Sequence, residues 1–83
     1  MFTVKSINKV FREDGLPVEL VKGEGYFYYI FNEPRDSVYE TRSVYVYRLS
    51  DLTKQHWIDE GRMFALETVA HFGINRRYDL EAI

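Results

Sequence analysis

Near the start of the chain, residues 3–14 alternate apolar and polar positions at the spacing of a helix. The apolar side chains lie three or four residues apart, as on one face of a helix: Val4, Ile7, Val10 and Phe11. Gly15 and Pro17 follow and are typical of a helix end. The pattern therefore predicts a short amphipathic helix over residues 3–14 that docks on a larger element.

Three later segments have patterns typical of β-strands. Residues 18–22 alternate weakly, 26–32 read YFYYIFN, and 44–49 read VYVYRL with period two. Glycines at 23 and 25 favour a tight turn between the first two strands, and the polar cluster 33–37 favours a second turn. We predict strands over these segments; an earlier start of the third strand, at Val38, is the alternative.

A second and longer helix is predicted over residues 53–72. Thr53 is suited to the N-cap, Leu52 and Trp57 have the spacing of a hydrophobic staple, and Gly73 is suited to the C-terminal cap. Gly61 lies inside this helix, where glycine costs about 1 kcal/mol relative to alanine. Either close packing against a strand or simple tolerance accounts for it. Residues 74–83 are left as a C-terminal tail.

The order of these elements predicts an α+β fold with one domain over residues 1–83. Its order is α-β-β-β-α: a three-stranded antiparallel meander with both helices on one face. Alternation along the second strand places Phe27, Tyr29 and Phe31 under the helices, because Phe is buried outright more often than Tyr. The opposite face then carries four tyrosines: Tyr26, Tyr28, Tyr45 and Tyr47. A register slip of one residue would exchange the two faces.

Composition narrows the chemistry available to this chain of 83 residues. It has no cysteine, so disulfides, thiol nucleophiles and thiolate zinc sites are excluded. His56 and Glu60 have the i, i+4 spacing of two metal ligands, but two ligands do not make a site, and a solvated helix face explains them. We therefore predict no enzymatic activity, metal, cofactor or small-molecule substrate. No apolar run is long enough for a membrane span, and we expect a cytoplasmic protein.

Aromatic residues make up 17 % of the chain, and the tyrosine face is the candidate partner-binding surface. Two arginines in the tail, Arg76 and Arg77, are candidate secondary contacts with an acidic partner. We expect a protein partner, such as a host complex. Self-association into a homodimer through the same face is an alternative. In a further interpretation, long side chains and the tail cover the face, and its rings serve sheet stability.

Single-stranded nucleic acid is a second alternative partner for the tyrosine rings. Residues 22–29, KGEGYFYY, resemble the RNP1 octamer of RNA-recognition motifs. Glu24 replaces an aromatic residue that would stack on a base, and Phe27 replaces an aliphatic one. The net charge of −2 also disfavours binding to phosphate backbones.

Two segments, ELVKGEGYFYYIF (residues 19–31) and SVYVYRLSDLTKQHWI (residues 43–58), resemble short uncharacterised proteins of bacteriophages, prophages and plasmids. The shared pattern is an aromatic run after Gly-x-Gly, followed by SVYVYRLxxLT and a glutamine, often next to a tryptophan. His56 departs from it, since it is inserted before the tryptophan. The resemblance implies a mobile-element setting and inhibition of a host defence complex by steric occlusion, and it implies no catalytic residue or cofactor.

Overall fold

A computed structural model describes residues 1–74 of the chain. Helix α1 spans Val4–Glu13, and helix α2 spans Lys54–Phe72. The N-cap predicted for α2 is confirmed, since the hydroxyl of Thr53 accepts a hydrogen bond from the His56 N–H. Helix α1 begins one residue later than predicted, because Thr3 is its N-cap and its hydroxyl accepts a hydrogen bond from the Ser6 N–H. Gly73 ends α2 in the left-handed conformation, with a φ of 61°. The predicted tail, apart from Ile74, lies outside the described residues.

Between the helices, three strands form one antiparallel sheet in the order β1-β2-β3. They span Val18–Lys22, Phe27–Glu33 and Val38–Val44. Gly25 has a φ of 76° in the β1–β2 turn, a conformation that favours glycine. A short 3-10 helix, Pro34–Asp36, makes the β2–β3 connection. The predicted α+β fold, its order and its three-stranded antiparallel sheet are confirmed.

The predicted third strand over residues 44–49 is wrong, and the alternative start at Val38 is correct. The tight connection after Glu33 brings Val38 directly opposite it, so pairing begins there and continues to Phe27 opposite Val44. No residue of β2 lies beyond that point to pair with Tyr45 and its successors. The chain instead leaves the sheet, and Val46 packs against the core. The alternating VYVYRL pattern therefore reflects core contacts at one end of the sheet, rather than a strand.

Aromatic rings of β2 form the centre of the core, beneath the helices. Tyr29 is fully buried, and its ring lies about 6 Å from the rings of Phe11, Trp57 and Phe64. Its hydroxyl donates a hydrogen bond of 2.6 Å to the Trp57 carbonyl oxygen, which satisfies the buried phenol. The predicted burial of Phe27, Tyr29 and Phe31 against the helices is confirmed, and it determines which face of the sheet stays open.

Gly61 marks the place where α2 lies closest to this core. A Cβ atom added at Gly61 would lie 2.8 Å from Cε1 of Phe11 and 3.0 Å from Cε1 of Tyr29. Of the two explanations for this glycine, close packing is the correct one. The small residue lets α2 approach both α1 and β2.

Candidate functional site

One side of the sheet carries no helix within residues 1–74. Residues paired across an antiparallel sheet project to the same side, and Tyr28 is paired with Val21 and Ser43. This side lies opposite the buried Phe27 and Tyr29, because neighbouring residues of a strand point to opposite faces. We call it the open face, and its residues are Glu19, Val21, Tyr28, Ile30, Asn32, Tyr39, Thr41 and Ser43.

Three tyrosines form a connected group of rings at one end of the open face. The Tyr26 ring lies 5.8 Å from that of Tyr28 and 6.0 Å from that of Tyr45, on which it stacks with an interplanar angle of 28°. We call Tyr26, Tyr28 and Tyr45 the tyrosine cluster. Tyr26 and Tyr28 are half-buried, and Tyr45 is 83 % exposed. The structure thus brings together three of the four tyrosines that the sequence assigned to this surface.

Tyr47 is the exception among the predicted tyrosines. It lies beyond the end of β3, so strand alternation does not place it beside Tyr45. Its side chain is 72 % exposed and lines a separate groove with Phe2 near α1, Lys22 at the end of β1, and Leu49. The strand alternation that assigned Tyr47 to the tyrosine surface is therefore absent, because β3 ends at Val44.

Because the predicted third strand begins at residue 44 instead of Val38, the sequence analysis also missed other residues of the open face. Tyr39, Thr41 and Ser43 are exposed there, and Tyr39 is 61 % exposed at the end opposite the tyrosine cluster. The tight turn at residues 33–37 is the sequence feature that indicates these residues. A strand that begins directly after this turn places Tyr39, and every second residue after it, on the open face. The predicted contacts Arg76 and Arg77 lie outside the described residues.

Glu19 is the one charged side chain on the open face and tyrosine cluster together. The remaining positions carry hydroxyl, amide or aliphatic groups. Such a surface offers apolar area and hydrogen-bonding groups to a partner. It has no lysine or arginine that would pair with a phosphate group. It lacks the electrostatic feature on which nucleic-acid affinity rests.

The exposed side of α2 carries the acidic and histidine side chains noted in the sequence. His56 Nε2 lies 3.1 Å from Glu60 Oε2, as expected for an i, i+4 pair on a solvated helix. Within residues 1–74, no group of three metal-binding side chains comes together.

Further along α2, Arg42 of β3 forms an ion pair with Glu67. The hydrogen bond and the positive charge of Arg42 hold the pKa of the Glu67 carboxyl below its ordinary value.

Comparisons of the chain with protein families, curated proteins and solved structures found no match. No helix in the described part of the chain has the length and apolar character needed to cross a membrane. The candidate binding residues of the described chain therefore lie on the open face and its tyrosine cluster.

Proposed function

We propose that this protein is a non-enzymatic binding module, and that its open face docks on a folded protein through the tyrosine cluster. The observation that carries the proposal is the arrangement of Tyr26, Tyr28 and Tyr45: the Tyr26 ring lies against both of the other rings, on the side of the sheet opposite the helices. Tyrosine is enriched at the energetic centres of protein interfaces, because it combines a large apolar ring with a hydrogen-bonding hydroxyl.

The mutual contacts of the rings suit a binding surface. A side chain that is already held in place loses less conformational entropy when a partner covers it. Tyr26 and Tyr28 are half-buried before binding, while Tyr45 presents most of its surface to solvent. Around them, Thr41 and Ser43 supply small polar groups of the kind found among adaptable contacts in binding surfaces.

Charge favours a protein over a nucleic acid as the partner. The open face contains Glu19 and no lysine or arginine, and the whole chain has a net charge of −2. Stacking of bases on exposed rings normally acts together with a basic groove that follows the phosphates. That combination is missing from this face, so stacking would have to supply the affinity by itself.

The resemblance of residues 19–31 and 43–58 to short phage and plasmid proteins supports a more specific role. In this proposal the partner is a bacterial complex, such as a defence complex, and a module of 9.9 kDa blocks one of its surfaces by steric occlusion. Such a blocker requires a stable fold and one adhesive face, and it requires no catalytic group.

A pair of tyrosine substitutions tests the proposal with a control from the same chain. Tyr45 and Tyr47 are both highly exposed tyrosines, but only Tyr45 belongs to the tyrosine cluster. The full chain is immobilised and exposed to bacterial lysate with and without nuclease treatment, and captured proteins are identified by mass spectrometry. Binding to the purified candidate is then measured by calorimetry.

We expect Tyr28→Ser and Tyr45→Ser each to weaken binding about tenfold or more, as for interface hot spots. Tyr47→Ser should bind as the wild type does, and circular dichroism should show all three variants folded. Equal binding by the wild type and the cluster variants would refute the proposed face. Binding that nuclease treatment abolishes, and that falls steeply with salt, would point to nucleic acid instead.

A further inference from the structure

The two edges of the sheet differ in whether their backbone groups are bonded. At the β1 edge, the side-chain amide of Asn8 on α1 pairs with the backbone of Leu20. Asn8 Nδ2 donates to the Leu20 carbonyl oxygen at 2.9 Å, and Asn8 Oδ1 accepts from the Leu20 N–H at 2.7 Å. This edge is thereby covered, as edges of stable monomeric sheets commonly are. At the other edge, no strand within residues 1–74 pairs with the outer side of β3.

Hydrogen bonds at the first two strands show which groups of β3 point outward. In an antiparallel ladder, hydrogen-bonded pairs alternate with non-bonded pairs. The Gly23 N–H donates to the Tyr26 carbonyl, and the Asn32 N–H donates to the Pro17 carbonyl. Every second residue of β2 between Tyr26 and Asn32 therefore bonds to β1, and the residues between them bond to β3. The outward backbone of Leu20, held by Asn8, agrees with this alternation.

It follows that β3 bonds to β2 through the residues paired with 27, 29, 31 and 33, which are Val38, Glu40, Arg42 and Val44. The backbone N–H and carbonyl groups of the alternate residues, Tyr39, Thr41 and Ser43, point away from the sheet. Along the seven residues of β3, the three outward N–H groups and three outward carbonyl groups thus form a regular row of donors and acceptors. No proline or bulge interrupts them.

The sequence of this edge, VYETRSV, is complementary to itself when it is reversed. We propose that the β3 edge pairs with β3 of a second copy of this chain, antiparallel and about a two-fold axis at Thr41. Thr41 then faces the partner's Thr41, and Tyr39 faces the partner's Ser43. These pairs form about six backbone hydrogen bonds, two for each of three pairs. The result is one continuous sheet of both copies.

The opposite charges of Glu40 and Arg42 favour this register and favour a second copy of the chain as the partner. Glu40 lies opposite the partner's Arg42, and Arg42 lies opposite the partner's Glu40. Both contacts are in non-bonded pairs, where Cα atoms are about 4.5 Å apart and side chains lie close together. Glu40 forms no ion pair within residues 1–74, so it is available for this contact. Arg42 bonds Glu67 through Nη2, and the other N–H groups of its guanidinium can meet the partner's Glu40. A shift of one residue in the pairing would remove these two opposite-charge contacts.

The helix side of the β3 edge borders a cleft. A cleft of about 350 Å³ separates β3 from the C-terminal half of α2, with Glu40, Thr41 and Arg42 on one wall and Thr68 and Phe72 on the other. The two-fold axis runs perpendicular to the sheet, so both open faces lie on the same side of the dimer. This inference does not depend on the proposed function, because it uses the edge of the sheet and leaves the tyrosine cluster uncovered.

The first test measures the mass of the full chain by sedimentation and light scattering, from micromolar to millimolar concentration. We expect a transition from 9.9 kDa to about twice that mass. Thr41→Pro removes an outward N–H without breaking the β2–β3 ladder, and proline is tolerated at strand edges. It should abolish the dimer, whereas Thr41→Val, which keeps the N–H, should dimerise as the wild type does. A wild type that stays monomeric throughout would overturn the inference.

Two charge variants test the register even if Thr41→Pro fails to fold. Glu40→Arg places Arg against Arg in both contacts of a homodimer, and Arg42→Glu places Glu against Glu. Each variant by itself should dissociate about tenfold or more readily. In a mixture of the two, both contacts again join opposite charges, and a heterodimer of near wild-type affinity should form. A dimer that resists both charge changes, or a mixture that does not recover, would overturn the proposed pairing.

Discussion

Replacing Gly61 by alanine tests how tightly α2 is packed on the core. Two effects of the added methyl group oppose each other. Alanine favours the helix by about 1 kcal/mol over glycine. However, the new Cβ would lie 2.8 Å from Cε1 of Phe11, nearer still to its Cζ, and 3.0 Å from Cε1 of Tyr29. Both rings are fully buried, so neither can swing into solvent to relieve the overlap.

Overpacking of a well-filled core costs about 1–3 kcal/mol, and rigid rings on both α1 and β2 place Gly61→Ala at the upper end of that range. After the gain in helix propensity, we expect a net loss of about 2 kcal/mol in the free energy of unfolding. For a domain of this size, Tm should fall by roughly 8–16 °C. Chemical denaturation followed by Trp57 fluorescence would measure the free energy, and thermal circular dichroism would measure Tm.

Two further comparisons separate the opposing effects of Gly61→Ala. Met63 is exposed on the same helix, so the difference between Met63→Ala and Met63→Gly measures helix propensity without core contacts. Phe11→Leu removes the ring atoms that the new methyl group would meet, so the double variant with Gly61→Ala should be less destabilised than the sum of the single variants. The packing argument would be refuted if Gly61→Ala were as stable as the wild type or more stable.

Two other predictions concern polar groups that join the helices to the sheet. Asn8→Ala should lower the free energy of unfolding by about 1–3 kcal/mol, because it leaves the backbone of Leu20 without its two bonds to Asn8. Asn8→Asp should recover only the bond from the Leu20 N–H. Urea denaturation of both variants measures these changes. Burial, with a smaller contribution from the charge of Glu60, raises the pKa of Tyr29 well above its ordinary value. The unfolded chain therefore releases this proton first, so Tyr29 stabilises the fold fully below about pH 10 and progressively less above it. Tyr29→Phe should be less stable than the wild type at neutral pH and lose stability less steeply between pH 9 and about 11.5 in urea titrations. An equal slope for both proteins would contradict the assigned cause.

Local patterns were sufficient to place most of the elements. The three-to-four residue spacing around Ile7 and the capping residues Thr53 and Gly73 each depend on a few neighbouring residues, and the structure confirms both helices within one residue at each end. The first strand is confirmed at both ends, and the second is shifted by one residue. The preference of phenylalanine for full burial also indicated correctly which side of β2 faces the helices.

The third strand shows where local pattern is insufficient. Val44–Leu49 alternates more regularly than Val38–Val44, yet only the latter forms a strand. Strand pairing is a long-range interaction, and here the short connection after Glu33 places Val38 opposite it, so that β2 is fully paired by Val44. The misplaced strand assigned Tyr47 to the tyrosine surface by an alternation that ends at Val44, and it left out Tyr39 and Thr41.

By itself, the sequence determined the order of elements, the caps of α2, the buried face of β2 and the absence of cysteine chemistry. Each of these depends on residue type and short-range spacing. Only the tertiary structure decided the start of β3, the contacts of Tyr26 with Tyr28 and Tyr45, the closeness of Gly61 to Phe11, and the contrast between the covered and uncovered edges of the sheet. Those features join residues that are distant in the chain, and their relative position is determined by strand register and helix packing, which no short window of sequence contains.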